Sequence, residues 1–315
     1  MAFRAKDTWG LLKATVSEWS EDKAQQLGAS LAFYTALSIA PLLILALRVA
    51  AWFFGDDAAR GEIFGQAQSL IGTDGAKAIQ DMIQNADHPA RGTVATILSV
   101  VTLLLGASGV FGQLQDALNT IWEVKPKPGQ GIWGMIRKRF LSLAMVLGIA
   151  FLLLVSLILS SALAFMGSFL DRLPEQLHFL AQALNFIFST AIITVLFALM
   201  FKLLPDVKMA WRDVWLGAFV TAVLFSIGKI LIGLYLGHSS MASSYGVAGS
   251  FVVLLVWVYY SAQILFFGAE LTQVYANRYG SRIVPDENAV AITEDERAKE
   301  GRPRDSSSPQ ARPAT

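Results

Sequence analysis

Tyr34, Ser38, Pro41 and Arg48 are spaced four, three and seven residues apart in an otherwise apolar stretch, so on a helix they share one face. Further along, Ala222, Ser226, Lys229, Gly233 and Gly237 form a small and polar stripe, and Tyr260, Gln263 and Glu270 form another. A charge inside a bilayer costs roughly 2.5–3.5 kcal/mol on insertion scales, so each such group needs a reason to be there. The chemistry these residues support is a hydrated cavity through which a solute or ion moves. Arg48 and Lys229 lie in the outer halves of their stretches with no obvious intramembrane acid beside them, and two such cations would attract an anion. The competing reading is that their long stems snorkel to the headgroups. Glu270 lies at the opposite, inner end, poorly placed to pair with Lys229. It reads as a cap, or as a partner of Arg278 or a basic loop. The serines and glycines also suit close helix packing. Tyr34, Ser38, Pro41, Arg48, Ser226, Lys229, Tyr245, Tyr260, Gln263 and Glu270 are therefore the candidate translocation or polar-cavity residues.

The same inventory argues against an enzyme. The chain has no Cys, which removes disulfides, thiolate metal sites and cysteine nucleophiles together. His88, His178 and His238 are its only histidines, and the topology derived below puts all three outside the cell. Asp116 and Glu123 are seven apart on an amphipathic helix and read as its solvated face. No cytoplasmic Asp/Glu cluster has metal-ligand spacing, so hydrolysis of RNA by a metal-activated water or paired His is not expected. There is no Gly-x-x-x-x-Gly-Lys-Ser/Thr loop, hence no ATP site. No cofactor and no metal are expected. A net charge of +1 argues against a nucleic-acid partner, because phosphate recognition needs a basic surplus.

The elements that must position these residues are membrane helices. The chain is 54% hydrophobic and 16% charged, against about a quarter charged in an ordinary soluble domain. Six apolar stretches are each long enough to cross a hydrocarbon core about 30 Å thick, at about 1.5 Å per residue. They run over residues 29–54, 93–111, 140–165, 180–204, 215–236 and 247–267. Strict alternation is missing, so barrel strands are out and the fold class is an all-α polytopic membrane protein. Pro41 should kink the first span. The first 28 residues are polar and charged with no cleavable signal peptide, so span one should be its own insertion signal. Lys and Arg crowd the amino-terminal segment, the loops after spans two and four, and the start of the tail. The positive-inside rule therefore puts both termini in the cytoplasm, as an even number of spans demands.

Outside the spans, Trp9, Leu12, Val16 and Trp19 recur at helical spacing, which suits an amphipathic helix on the cytoplasmic surface within residues 1–28. Residues 56–92 read as an outer helical hairpin about Gly72-Thr73-Asp74-Gly75, resting on the mouth of the bundle. Val110, Leu114, Ala117, Leu118, Ile121 and Trp122 form the apolar stripe of a second amphipathic helix, stopped by Lys125-Pro126-Lys127-Pro128-Gly129. The six-helix domain spans residues 29–280. Residues 281–315 read as a disordered cytoplasmic tail, because from about Pro285 they are rich in charge, Ser and Pro and lack aromatics. No convincing internal repeat is present.

Several blocks carry a resemblance. They are Leu31-Ala32-Phe33-Tyr34-Thr35-Ala36-Leu37-Ser38-Ile39-Ala40-Pro41-Leu42, then Gly112-Gln113-Leu114-Gln115-Asp116-Ala117-Leu118-Asn119-Thr120-Ile121-Trp122, then Trp211-Arg212-Asp213 through Gly228-Lys229 and Gly233-Leu234-Tyr235. Ser243-Ser244-Tyr245-Gly246-Val247-Ala248-Gly249-Ser250 and Gly268-Ala269-Glu270-Leu271 complete the set. In order and spacing the chain resembles the YihY/BrkB family of bacterial inner-membrane proteins over roughly residues 5–280. The resemblance implies six helices and an inner-membrane location. Labels in that family have included ribonuclease BN, virulence factor and transporter; they disagree, so it implies no catalytic residues. The expected function is a transporter or a lipid or amphiphile translocator of an anionic or amphipathic solute. The alternative is a non-transporting scaffold for envelope or lipid assembly. Membrane lipids are the expected partners, and a homo-oligomer or envelope-protein partners are compatible with either reading.

Overall fold

The computed structural model describes residues 5–57, 109–128, 178–238 and 249–302, together with 59–61, 63–65, 68, 76–77, 79–81 and 84. The long helices are α1 (Ala5–Glu21), α2 (Ala24–Phe54), α3 (residues 109–121), α4 (His178–Leu203), α5 (Trp211–His238) and α6 (Gly249–Tyr279). The expected spans at 29–54, 180–204 and 215–236 coincide with α2, α4 and α5 to within a residue or a short extension. The span expected at 140–165 lies outside the described residues, as does 93–111 apart from its last three positions. The last span is corrected: α6 does not stop near residue 267 but continues to Tyr279, so Glu270 lies inside a helix and not at its end. Trp211–Tyr235 and Phe251–Tyr279 are each long and apolar enough to cross a membrane. α2 runs unbroken through Pro41 and is 31 residues long, about 46 Å at the standard rise.

Large apolar side chains on the outside of α5 point to the solvent this fold expects. Trp215, Phe219, Ile227, Ile230, Leu231 and Leu234 are all exposed along that one helix. In water such a surface would be an aggregation liability; against acyl chains it costs nothing. At one end of α5, Trp211 and Trp215 lie 6.3 Å apart and the Lys202 ammonium sits 5.8 Å from the Trp211 ring, the arrangement of a headgroup-level aromatic belt.

Two small residues per helix lock α5 to α6. Thr221 Oγ1 donates to the Gly217 carbonyl at 2.7 Å and Thr272 Oγ1 to the Gly268 carbonyl at 2.7 Å, so both hydroxyls are satisfied within their own helices. The antiparallel crossing sets Gly217 against Thr272 and Thr221 against Gly268: a Cβ on Gly217 would fall 2.8 Å from Thr272 Cβ, and one on Gly268 2.8 Å from Thr221 Cβ. Small residues let the backbones approach, the means by which helices associate where lipid removes the hydrophobic drive. The main core cluster joins these helices to α3 and α4 through Leu118, Ile121, Phe201, Ala218 and Phe266. A second cluster packs Ala59, Ala76 and Ile79 against Ile39 and Leu47 of α2 and Leu254 of α6, at the other end of the bundle. The described residues between 56 and 84 are helical, and the Gly72–Gly75 turn lies outside them.

The disordered tail is corrected as far as residue 302. Val284–Pro285 (β3) pairs antiparallel with Val207–Lys208 (β2), and Ala289–Ala291 (β4) pairs antiparallel with Val124–Pro126 (β1). A six-residue helix α7 (Glu294–Lys299) follows, opened by a capping box in which Thr293 and Glu296 satisfy each other's backbone N–H groups. The charged composition did not prevent folding because the segment borrows its order from loops 76 and more residues away. Residues 303–315 lie outside the described residues.

Candidate functional site

α1 and α2 meet at a two-residue corner. Asp22 N–H closes the last turn of α1 onto the Glu18 carbonyl at 2.8 Å, and Lys23 turns the chain in the left-handed region at φ 54°. α1 then lies against α6 through Leu11, Leu271 and Val274, while Trp9, Leu12 and Val16 stay exposed. A helix is present where the Trp9 stripe expects one, and its other face is the informative one: Thr15, Glu18 and Asp22 are turned inward and buried.

Those acids meet α7. Arg297 is 1% exposed, and its guanidinium reaches Glu123 at 2.5 Å, Asp22 at 3.2 Å, Glu18 at 3.8 Å and Glu21 at 3.9 Å. Its Nε donates to the Arg302 carbonyl at 3.3 Å. Arg302 in turn donates to Asp22 at 3.1 Å and to Glu300. Glu123 is presented by a left-handed turn at φ 55° that ends α3 and leads into β1. From α6, Glu270 enters the same electrostatic neighbourhood, within the fields of Asp22, Glu18, Glu123 and Arg297. It is 0% exposed, and neither carboxyl oxygen accepts a hydrogen bond. Burial pushes the Asp22 carboxyl up from its usual 3.8 to about 7; Arg297 and Arg302 oppose the rise, and Glu123 and Glu18 add to it. Among the described residues no group of three or more His, Asp or Glu side chains is arranged to hold a metal ion.

Among the described residues, the sequence-derived candidates are spread along α2, α5 and α6. Glu270 is buried as described, and Arg278, its expected partner, donates instead to the Gly10 carbonyl at 3.2 Å. Gln263 donates to the Ala24 carbonyl at 3.3 Å and fills the space over Gly28. Tyr260 lies against Gly228 at the α5–α6 crossing. Ser226 donates to the Ala222 carbonyl of its own helix at 2.8 Å. Ser38 is buried against Gly109, whereas Tyr34 is exposed with its ring edge-on to Phe33. Lys229 is exposed on α5, beside the exposed Ile230. Tyr245 and the side chains of Pro41 and Arg48 lie outside the described residues, as do the side chains of all three histidines. Glu123, read from sequence as solvated, is corrected: it holds Arg297. Asp116 is exposed as expected. Glu18, Glu21, Asp22, Arg297 and Arg302 went unrecognised. The one signal available was four carboxylates in a short helix and corner (Glu18, Glu21, Asp22 and, farther along, Glu123) set against arginines in a tail taken to be unfolded.

A second polar knot braces the same end. Asp206 accepts from Asn119 Nδ2 at 2.9 Å and Gln115 Nε2 at 3.2 Å, and its N–H donates to Asn119 Oδ1 at 2.8 Å. Asp213 likewise accepts from Ser281 N–H at 2.8 Å and Oγ at 2.7 Å.

Comparison with known proteins fits this architecture. A UPF0761 membrane protein of Verminephrobacter eiseniae is 29% identical over 263 residues, which are 79% of this chain and 59% of that protein. One of Tolumonas auensis is 28% identical over 258 residues, 80% of either chain. The YfkH protein of Bacillus subtilis, whose name calls it ribonuclease-like, is 22% identical over 285 residues, 88% of this chain and 98% of that protein. The chain spans only 59%, 55% and 58% of the length of three of the UPF0761 relatives it matches. No solved structure matches it. The family described as virulence factor BrkB matches residues 15–293, a stretch that holds every acid of the buried cluster and stops just short of Arg297. On that match the chain belongs to the BrkB/YihY family of membrane proteins.

Proposed function

We propose that this chain is a transporter or translocator of an anionic or amphipathic solute in the bacterial inner membrane, with six spans and both termini in the cytoplasm. One observation carries the reading: Glu270 is completely buried in an apolar helix with no hydrogen-bond partner, beside a cluster of further acids. A packing helix gains little from such a group, and an ionisable side chain enclosed in an apolar helix with no partner marks a functional site. The topology draws support from the two small ladders. They tie residues 124–126, 207–208 and 284–291 together at one end of the bundle, and these are three of the four segments that the Lys/Arg bias assigns to the cytoplasm. The solute is anionic or amphipathic, with membrane lipids the nearest source. No enzymatic step is assigned to any residue.

A non-transporting scaffold is favoured by one opposing observation, the close Gly217–Thr272 and Thr221–Gly268 contacts that leave no room between α5 and α6. The test is reconstitution into vesicles containing phosphatidylglycerol tagged with a nitrobenzoxadiazole dye, followed by dithionite. The transport reading expects bleaching of inner-leaflet dye by the intact chain, reduced in Glu270→Gln. Bleaching no greater than in protein-free vesicles overturns it and leaves the scaffold.

A further inference from the structure

The charge balance of the buried cluster does not close. Arg297 is surrounded by Glu18, Glu21, Asp22 and Glu123, with Glu270 behind them, and Arg302 is shared between Asp22 and Glu300. Ionised throughout, the enclosed part is five carboxylates facing two guanidinium groups, and the sixth acid, Glu300, is half-exposed. Lys23, which approaches Gly301 at the rim, adds one cation. Lys125 is occupied by Glu296 at 2.5 Å on the outside of α7. Isolated charge in an apolar interior costs far more than a protonation does, so surplus carboxylates there neutralise. Glu18 and Glu21 face Arg297 at 3.8 and 3.9 Å, and two other acids are the candidates to hold a proton. Asp22 spends one oxygen on both arginines, at 3.1 and 3.2 Å, and its Oδ2 accepts nothing. Glu270 has no ion pair and no hydrogen bond, although it is fully enclosed. No metal-ligand arrangement competes among the described residues.

We propose that Asp22 and Glu270 form a proton-binding site at the α1–α2–α6 junction, closed from water by the Arg297 clasp of α7. Resting on the transport reading, this names the coupling ion as H⁺ taken up from the side on which the 284–302 segment lies. The loaded proton sits on Asp22 Oδ2 and on either oxygen of Glu270. Release of the Asp22 proton requires α7 to lift, because Arg297 and Arg302 close over that carboxyl group. The position of Asp22 near neutrality, set by its burial, makes its proton exchangeable under physiological conditions.

The test is difference infrared spectroscopy of the intact chain in phosphatidylglycerol-containing nanodiscs, titrated through the pH range from acid to mildly alkaline in H₂O and in D₂O. The wild-type chain should show a deuterium-sensitive carbonyl stretch of protonated carboxyl groups. Glu270→Gln should remove one component, and Asp22→Asn the component that titrates near neutral pH. A wild-type spectrum without that band overturns the proposal with no variant needed. A full-sized band in a monodisperse Glu270→Gln or Asp22→Asn protein overturns it as well. Neither result depends on lipid movement, so failure of the dye assay and failure of the proton site are read separately.

Discussion

Placing a methyl group on Gly217 tests whether side-chain shape sets the separation of α5 and α6. The new Cβ would fall 1.7 Å from Thr272 Oγ1, 2.8 Å from its Cβ and 3.2 Å from its Cγ2. Rotation of Thr272 could move its hydroxyl, at the cost of the 2.7 Å bond to the Gly268 carbonyl, but its Cβ is fixed to the backbone. The helices must therefore part by some tenths of an ångström. Gly268 repeats the problem from the other side, 1.9 Å from Thr221 Oγ1 and 2.8 Å from its Cβ. Overpacking of this kind costs about 1–3 kcal/mol per site. Ala returns about 1 kcal/mol of helix propensity. The net loss is then about 1 kcal/mol for G217A and about 2 for G217A/G268A, a fall of about 4–8 °C in apparent Tm for the pair at about 2–4 °C per kcal/mol. The assay is thermal unfolding in detergent followed by size-exclusion chromatography. The decisive arm is the background: with Thr272→Gly the obstructing Cβ is gone, and G217A should become neutral or stabilising. An equal loss in both backgrounds refutes the interlock.

Three further outcomes follow from the clasp and its braces. Arg297→Ala leaves the cluster's acids buried without their cation and should cost about 3–5 kcal/mol, read as a lower apparent Tm and as new trypsin cleavage within residues 284–302; Arg297→Lys, lacking the planar fork, should rescue only part. Stability should also follow pH through Asp22. Its folded value of about 7 lies above the usual 3.8, so the folded chain binds the extra proton, and this contribution is complete below about pH 4 and lost as pH rises through about 7. Asp22→Asn should flatten that slope in thermal unfolding across the same range. Asp206→Ala deprives Asn119 and Gln115 of their acceptor and should destabilise by about 1–3 kcal/mol, with hydrogen exchange rising first in the strands at 124–126 and 207–208.

Periodicity made some elements easy to read. The stripe from Leu114 to Trp122 marked the buried face of α3, and runs of apolar residues marked α2, α4, α5 and α6. α1 was harder. Its apolar stripe was visible, but in a membrane protein apolar and inward are no longer the same direction: Trp9 and Val16 are exposed while Thr15 and Glu18 pack inside. The tail was misread because nothing local orders it. Its strands are two and three residues long and take their partners from positions 207–208 and 124–126, and its helix is anchored by an arginine whose acids lie 174 residues away and more. Composition reports what a segment can bury by itself and is silent about an ion pair supplied by the rest of the chain.

The placement of charge in this fold argues against a purely mechanical role for the cluster. A buried network of this kind gives little net stability, and a well-packed apolar substitute is often neutral or better. The same end of the bundle already has cheaper fastenings. The Asp206 and Asp213 knots are well satisfied, both ladders are hydrogen-bonded, and the Gly–Thr crossing needs no charge at all. Against that background, Glu270 lies on α6, which packs against both α5 and α1, with its carboxyl unanswered. Holding α7 down would need Arg297 and one or two acids. The additional carboxylates make the pocket's charge depend on how many protons it carries, and the seat of Arg297 depends on that charge. A structural lock would have no use for such dependence.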